Sequence, residues 1–294
     1  MQVLTVANQK GGVGKTTTTV NLAASLALMG ARTLVVDLEP QAQAGTALGL
    51  NIPSSEVSRS LGWALQAYVQ GIETDLPGII YDRSTLLEPF ETNGVLHLLA
   101  SEESTMSRAQ DLLVGAGFAA TPILRRMLLS LAAHYDYVVI DTPPAISSLA
   151  AVGWAAGDWV VTVCFPEYAT VRGAVTLAGS VKFVAKNTDN ECRPQYLGAV
   201  LNKSNPPSNW KQQEVDVRDG MISSGLLPFV GDIRQSDLIS RSFAGGVPAV
   251  LGYTNLPPGK QYAALMQEVL TRMDTPQATW EIAPPPFAEE ESVV

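Results

Sequence analysis

Gln9-Lys10-Gly11-Gly12-Val13-Gly14-Lys15-Thr16-Thr17 is the stretch that decides the fold of this chain. An apolar strand candidate, residues 3–7, precedes it, and a helix-like run to residue 29 follows it. A glycine-rich turn between a strand and a helix points backbone N–H groups into one concavity, where the helix N-terminus adds a partial positive charge. The sequence therefore predicts a polyphosphate site in this loop.

The residue types in this loop have separate chemical tasks. Its glycines let the backbone approach phosphates without a Cβ in the way. Lys15 supplies a point charge to the β- and γ-phosphates, and the Thr16 hydroxyl suits a magnesium ion. The residues expected to bind the nucleotide here are Gly11, Gly12, Val13, Gly14, Lys15, Thr16 and Thr17.

The loop departs from the general pattern G-x-x-x-x-G-K-[ST], because Gln9 stands where that pattern has glycine. A second lysine, Lys10, lies at the head of the loop. This string resembles the deviant Walker A motif of the ParA/MinD family of ATPases, and among them the ParA (Soj-like) partition ATPases most closely. The resemblance implies that Lys10 reaches across a dimer interface to the nucleotide of the partner subunit. The alternative is a solvated surface lysine.

Residues 34–43, Leu-Val-Val-Asp-Leu-Glu-Pro-Gln-Ala-Gln, resemble the family's switch-like motif D-x-D-P-Q-G-N. The resemblance implies that Asp37 lies near the magnesium ion and its waters. Glu39 replaces the aspartate that orients the attacking water, so its carboxylate lies on the order of 1 Å further out, a displacement that can cost about 100-fold in rate. Glu39 is therefore either a water-positioning base with a compensating backbone or a structural residue only.

Residues 135–144 end an apolar strand with Asp141-Thr142-Pro143-Pro144. This is a Walker B pattern, and its D-x-P-P ending is the form seen in ParA-like proteins. Asp141 is expected to hold Mg²⁺ opposite Thr16. The expected metal-site residues are Thr16, Asp37 and Asp141, and the expected catalytic residues are Lys10, Lys15, Asp37 and Glu39.

Two later segments resemble motifs of the same family less closely. Residues 198–202 resemble the strand whose terminal asparagine reads adenine, so Asn202 is either a base contact or a strand-end asparagine in a turn. Residues 227–237 resemble the segment I-P-R-x-x-x-x-x-E-A, which places Pro228 at the nucleotide and Arg234 at a DNA contact. The basic residues that could form a patch for nonspecific DNA binding, or could be solvated side chains only, are Arg218, Arg234, Arg241 and Lys211.

Strand candidates alternate with helical stretches along the chain, which predicts an α/β fold. They lie at residues 3–7, 33–37, 95–99, 137–141, 160–165, 196–202 and 226–230. We expect the three-layer P-loop NTPase fold, with a mostly parallel sheet of about seven or eight strands flanked by helices. Residues 1–274 form one domain, in which 51–94 is a surface insertion with a short helix at 61–69, and the Pro-rich acidic tail 275–294 is disordered.

Composition excludes several classes of protein. No apolar run is long enough to span a bilayer, and the loop at residue 9 leaves no room for a signal peptide. Cys164 and Cys192 form no metal-binding or disulfide pattern, so we expect a reducing cytoplasm. Nucleoid association is what the resemblance to ParA partition ATPases implies. A net charge of −9 means that any DNA contact needs a local basic patch.

The resemblance implies a partition or positioning ATPase that dimerises on ATP, binds DNA nonspecifically and is switched off when a ParB-like partner stimulates hydrolysis. Its cofactors are ATP and Mg²⁺, and no membrane contact is expected. The rivals are a MinD-like regulator, whose C-terminal basic helix is missing here, and an ATP-binding dimeric interaction protein with little or no hydrolysis, which Glu39 motivates.

Overall fold

The computed structural model describes residues 1–144 and 146–282. The strands of these residues are β1 (Gln2–Ala7), β2 (Arg32–Asp37), β3 (Tyr81–Asp82), β4 (Val95–Leu99), β5 (Tyr137–Asp141), β6 (Trp159–Cys164), β7 (Gln195–Ser204) and β8 (Ile233–Arg234). They form one sheet in the order β3-β4-β2-β5-β1-β6-β7-β8. Only β3 and β4 pair antiparallel, so the mostly parallel sheet expected from the sequence is confirmed.

Helices cover both faces of this sheet. They are α1 (Lys15–Leu28), α2 (Gln43–Ala47), α3 (Leu61–Val69), α4 (Glu103–Ala116), α5 (Ile123–Leu129), α6 (Ser148–Ala156), α7 (Tyr168–Asn187), α8 (Gln212–Ser223), α9 (Asp237–Ala244), α10 (Ala249–Gly252) and α11 (Pro257–Asp274). Across the described ranges no single helix has both the length and the apolarity of a membrane span; the bent pair Glu103–Ala120 and Ile123–Leu129 passes that test by length and composition.

The strands are apolar on both sides because each face of the sheet packs against helices. In β2, Leu34 and Val36 join the core beneath α3 to α6, whereas Val35 joins the core beneath α1 and α11. This alternation follows from the two-residue period of a strand, and β5 repeats it. Continuous apolar runs therefore mark the central strands of a three-layer fold.

Helix α1 is the element that fixes the phosphate loop in space. It lies between the sheet and α11, and Val20, Leu22 and Leu26 are among its buried side chains. Full burial of each such side chain contributes about 1.5–3 kcal/mol to stability. The N-terminus of α1, where the loop ends, is consequently held by the core.

The strand predictions hold for six of the seven candidates, to within a few residues. The prediction for residues 226–230 is wrong. Pro228 makes only an isolated bridge to Ala199, and Leu227 has a left-handed φ of 50°. The Leu227 carbonyl oxygen accepts from the Ala199 N–H at 3.4 Å in this bridge, and both it and the Pro228 carbonyl oxygen also accept from the guanidinium of Arg272. A left-handed φ at Leu227 is incompatible with extended backbone, so the bridge does not grow into a strand. The eighth strand begins at Ile233 instead.

Two segments that were expected to lie outside the core contribute to it. The predicted helix in 51–94 is α3, where Leu61 and Leu65 are buried against α4 and α5 while Trp63 is exposed; the division of 51–94 as an insertion stays a prediction. In the tail, Trp280 lies 5.3 Å from the Arg272 guanidinium. Trp280 of the tail thus contacts the domain, the disorder of the tail stays a prediction, and residues 283–294 lie outside the described residues.

Candidate active site

The phosphate loop takes a backbone conformation that only glycine adopts easily. Gly12 and Gly14 have φ values of 73° and 94°, and Gly14 is the N-cap of α1. A Cβ on Gly14 would come within 2.2 Å of the Asn202 side-chain nitrogen. The loop therefore needs glycine at position 14 for two reasons, the positive φ and the close approach of β7.

The two predicted aspartates end neighbouring strands. Asp37 and Asp141 are register partners in the β2–β5 pair, and both side chains are fully buried. The Thr16 hydroxyl donates to Asp141 Oδ2 at 2.6 Å. Asp37 accepts from the backbone N–H groups of Glu39 at 3.0 Å and Ala44 at 3.1 Å. The structure thus brings Thr16, Asp37 and Asp141 together beneath the phosphate loop.

These buried carboxyl groups carry an electrostatic cost that a cation would relieve. Burial raises the pKa of Asp141 to about 7, although the hydrogen bond from Thr16 opposes the shift. Burial, and then the neighbouring Asp141, raises the pKa of Asp37 well above its usual range. Carboxylate and hydroxyl oxygens are hard donors of the kind that Mg²⁺ prefers. The donor set therefore fits a magnesium ion.

The two lysines of the loop differ in their surroundings. Lys15 is buried, and its ammonium donates to the Lys10 carbonyl oxygen at 3.3 Å. Burial lowers the pKa of Lys15, while Asp141 and Glu39 oppose the shift. The Lys10 ammonium is half-exposed, pairs with Glu167 at the start of α7 and lies outside the cavity that Lys15 lines. Lys10 therefore presents its charge at the surface of its own subunit.

Glu39 lies in the site as the switch-like motif predicts. Its side chain is half-buried and lines the same cavity as Lys15 and Thr16. Burial raises the pKa of Glu39, and the charge of Lys15 lowers it. A carboxylate with a raised pKa at a cavity wall is suited to proton transfer.

A cavity of about 520 Å³ extends from the phosphate loop toward α9 and α11. Its far wall contains residues that were not predicted as site residues, and they are Lys203, Gln235, Ser236, Asp237, Ile239, Ser240, Phe243 and Tyr262. Gln235, Ser236 and Asp237 lie in the segment 227–237, whose resemblance was interpreted only for Pro228 and Arg234. No motif marks the others, because β7, α9 and α11 meet only in the folded chain.

Asn202 and Pro228, which were both predicted to contact the nucleotide, differ in their position relative to the cavity. The Asn202 side-chain N–H donates to the Val13 carbonyl oxygen at 2.8 Å, so it ties the end of β7 to the phosphate loop. It also lines the cavity, which leaves its predicted contact with adenine a proposal. Pro228 is buried and does not line the cavity, so the structure does not bring it to the predicted nucleotide site.

The predicted basic patch does not assemble as expected. Arg218 is only 2% exposed and pairs with Asp232 at 3.2 Å, so its placement in a surface patch is corrected. Burial of that pair is tolerated because the two charges neutralise each other. Arg234 is exposed but lines the cavity, whereas Arg241 and Lys211 are exposed outside it.

Comparisons with known proteins agree with this geometry. A family model described as an AAA domain (AAA_31) matches residues 1–193. The chain is 30% identical over 279 residues to the chromosome partitioning protein ParA of Myxococcus xanthus (strain DK1622), covering 94% of this chain and 90% of that protein.

Two solved structures share the fold. Apo McdA of Cyanothece superposes with a TM-score of 0.77 at 20% identity, covering 92% of this chain and 99% of that chain. The septum site-determining protein MinD of Pyrococcus horikoshii OT3, complexed with Mg-ADP, superposes with a TM-score of 0.67 at 22% identity, covering 91% of this chain and 95% of that chain. Identities this low support the fold alone.

Proposed function

The chain belongs to the ParA/MinD-type family of P-loop ATPases, and we propose that it is a partition or positioning ATPase switched by its nucleotide. In this proposal it binds ATP with Mg²⁺, dimerises, binds DNA nonspecifically and is released when a ParB-like partner stimulates hydrolysis. The observation that carries the proposal is the buried arrangement of Thr16 bonded to Asp141 beside Lys15 and Asp37.

Nucleotide binding follows from the loop and its carboxylates. The N–H groups of residues 11–17 cradle the phosphates, and Lys15 pairs with the β- and γ-phosphates. Thr16, Asp141 and Asp37 hold the magnesium ion, directly or through water. When bound, the ion supplies positive charge that neutralises phosphate oxygens. It also offsets the cost of burying Asp37 and Asp141 as anions.

Dimerisation is assigned to Lys10. Its ammonium is half-exposed, pairs with Glu167 and lies outside its own cavity, so a second subunit can approach it. Burial of Lys10 between two subunits costs several kcal/mol unless a phosphate of the partner's nucleotide neutralises it. Closure of the dimer therefore requires ATP, and loss of the γ-phosphate reopens it.

Hydrolysis is assigned to Glu39, which orients the attacking water and accepts its proton. The extra methylene, relative to the aspartate of the family motif, makes slow turnover the expected behaviour. Slow turnover suits a switch, because the ATP-bound dimer must persist until a partner triggers release.

DNA contact is assigned to exposed basic residues outside the cavity, Arg241 and Lys211. These two charges bind DNA weakly in a protein of net charge −9. A dimer presents each of them twice, which gives avidity without a strong contact in either subunit. The location that follows from this proposal is the cytoplasm, on the nucleoid.

The test is the mass of the protein by light scattering with ADP and with ATP, with phosphate release sampled in the same tubes. We expect a dimer with ATP, a monomer with ADP and slow phosphate release. Lys10→Ala should abolish the dimer, whereas the matched control Lys182→Ala, which removes an exposed lysine from α7, should leave it intact.

Two outcomes argue against the proposal in different ways. A protein that stays monomeric with ATP at high concentration contradicts the assignment of Lys10 and the nucleotide switch. An ATP-dependent dimer that releases no phosphate, even with DNA and a partner present, supports instead the ATP-binding interaction protein that Glu39 motivates.

A further inference from the structure

We propose that Arg234 is a nucleoside-contacting residue, whose guanidinium lies against the base or ribose of the bound nucleotide. This inference rests on the proposed function and deepens it, because it assigns a residue to the half of the cavity that the phosphate loop does not reach. It also separates Arg234 from the DNA patch in which the sequence places it.

The first support is the position of Arg234 in the cavity. Lys15 and Thr16 of the phosphate loop line the 520 Å³ cavity, and Arg234 of β8, Phe243 of α9 and Tyr262 of α11 line the same cavity. A nucleotide with its phosphates in the loop has the remaining part of this cavity for its nucleoside, and Arg234 is the arginine that lines it.

The second support is the state of the Arg234 side chain. It is exposed, and within the described ranges its guanidinium makes no hydrogen bond and no ion pair. Its charge acts only at a distance, where it lowers the pKa of Asp232 against the effect of burial. A planar cation without a partner at a cavity wall can stack on a base and donate to ribose or base oxygens.

The third support is the rigid placement of the Arg234 backbone. Its N–H donates to the Gln261 side chain at 3.1 Å, and the Gln235 N–H donates to the Ser204 carbonyl at 2.9 Å. Glu268 accepts from the Val230 N–H at 3.0 Å. The segment that leads into β8 is thus tied to α11, and β8 itself to β7, so the backbone loses little entropy when a ligand binds, and the ordering cost is that of the Arg234 side chain.

Lys260 provides a matched control in the same part of the fold. It lies on α11, is exposed and does not line the cavity. Removal of either side chain deletes one exposed positive charge, so general electrostatic effects on an anionic ligand should be similar. Only Arg234 should show an effect that depends on the nucleoside.

The experiment measures dissociation constants by calorimetry for Mg-ADP and for sodium tripolyphosphate, which has phosphates and no nucleoside. Arg234→Ala should weaken Mg-ADP binding about three- to thirtyfold and leave tripolyphosphate binding unchanged. Arg234→Lys should restore only part of the loss, because an ammonium has no plane to stack. Lys260→Ala should change neither constant.

The inference is overturned if Arg234→Ala binds Mg-ADP as the wild type does, or if it weakens both ligands equally. It is also overturned if Arg234→Ala abolishes binding to a random-sequence DNA duplex while Mg-ADP binding stays intact. Failure of the proposed function looks different, because in that case the wild-type protein itself does not bind Mg-ADP.

Discussion

Asp141 shows how a single buried carboxyl group can lower the stability of the protein when nucleotide is absent. Folding raises its pKa from 3.8 to about 7 by burial, so the folded protein holds this proton more tightly than the unfolded chain. The contribution of Asp141 to stability is therefore fully present below pH about 4 and is lost as the pH rises through about 7. The site is prepared for a cation at the expense of stability in neutral solution.

Asp141→Asn should raise the melting temperature of the nucleotide-free protein at pH 8 by about 3 °C or more. The amide keeps an oxygen that can accept from Thr16 but has no charge to bury. The measurement is a thermal melt of both proteins from pH 5 to pH 8, where the variant should lose less stability with rising pH. Equal slopes for the two proteins would show that Asp141 is not the group responsible. Mg-ATP should no longer stabilise the variant as it does the wild type.

Glu39→Gln should keep the ATP-dependent dimer and lower the rate of phosphate release about 100-fold or more, because the amide cannot accept a proton. Glu39→Asp should retain release, since aspartate is the residue of the family motif. Single-turnover phosphate release measures both. The control is Glu88→Gln, which removes an exposed charge outside the cavity. Unchanged release in Glu39→Gln would assign residue 39 a structural role only.

At the scale of elements, the phosphate loop depends on β7 as much as on its own glycines. The Asn202 side-chain N–H donates to the Val13 carbonyl oxygen, and the Asn202 side chain fills the space beside Gly14. A loop without regular secondary structure is thus braced by a strand that lies almost two hundred residues later in the chain. This brace keeps the backbone N–H groups pointed at the phosphate position.

Gly14→Ala should destabilise the protein more than Gly30→Ala does, although both glycines have nearly the same positive φ of 94° and 91°. Gly30 has no neighbouring atom within 4 Å of the added methyl group, whereas Gly14 meets Asn202. The conformational strain should cost about 1–3 kcal/mol at each position, and Gly14 adds the clash. Denaturant unfolding measures the free energies.

The double variant Gly14→Ala/Asn202→Ala isolates the clash. Its loss of stability should be smaller than the sum of the two single losses, because the second change removes the atom that the methyl group meets. Additive losses would mean that the cost at position 14 is backbone strain alone.

At the scale of the whole molecule, the residues that follow α11 pack against the buried guanidinium of Arg272. The Arg272 guanidinium lies 4.1 Å from the Phe229 ring and 5.3 Å from the Trp280 ring. It also donates to the Glu281 carbonyl oxygen at 3.0 Å. Residues 275–282 therefore help to hold the segment that leads into β8 and the cavity wall.

Trp280→Ala should lower the melting temperature by about 2–8 °C, because it removes one of the two aromatic rings that contact the buried Arg272 guanidinium. The matched control is Gln277→Ala, which truncates an exposed side chain three residues earlier and should leave the melting temperature unchanged. Thermal melts monitored by circular dichroism make the comparison. Equal melting temperatures for the two variants would show that the tail does not stabilise the domain.

The sequence by itself determined the features that local chemistry encodes. Glycine placement, apolar runs and the alternation of strands with helices predict the phosphate loop, the two aspartates at strand ends and six of the strands. Each of these patterns is contained in a short stretch of the sequence. The aspartates were expected at one metal site from the motifs that contain them. Their meeting agrees with a general property of parallel sheets, whose strands end at one edge.

Only the tertiary structure decided which distant residues share a space. The pairing of β2 with β5 sets Asp37 beside Asp141, and the meeting of β8, α9 and α11 moves Arg234 into the cavity wall. Arg218 became buried because Asp232 neutralises it inside the fold. A charged side chain has no periodic signal that tells whether a partner will cover it, so its place depends on packing between segments far apart in the chain.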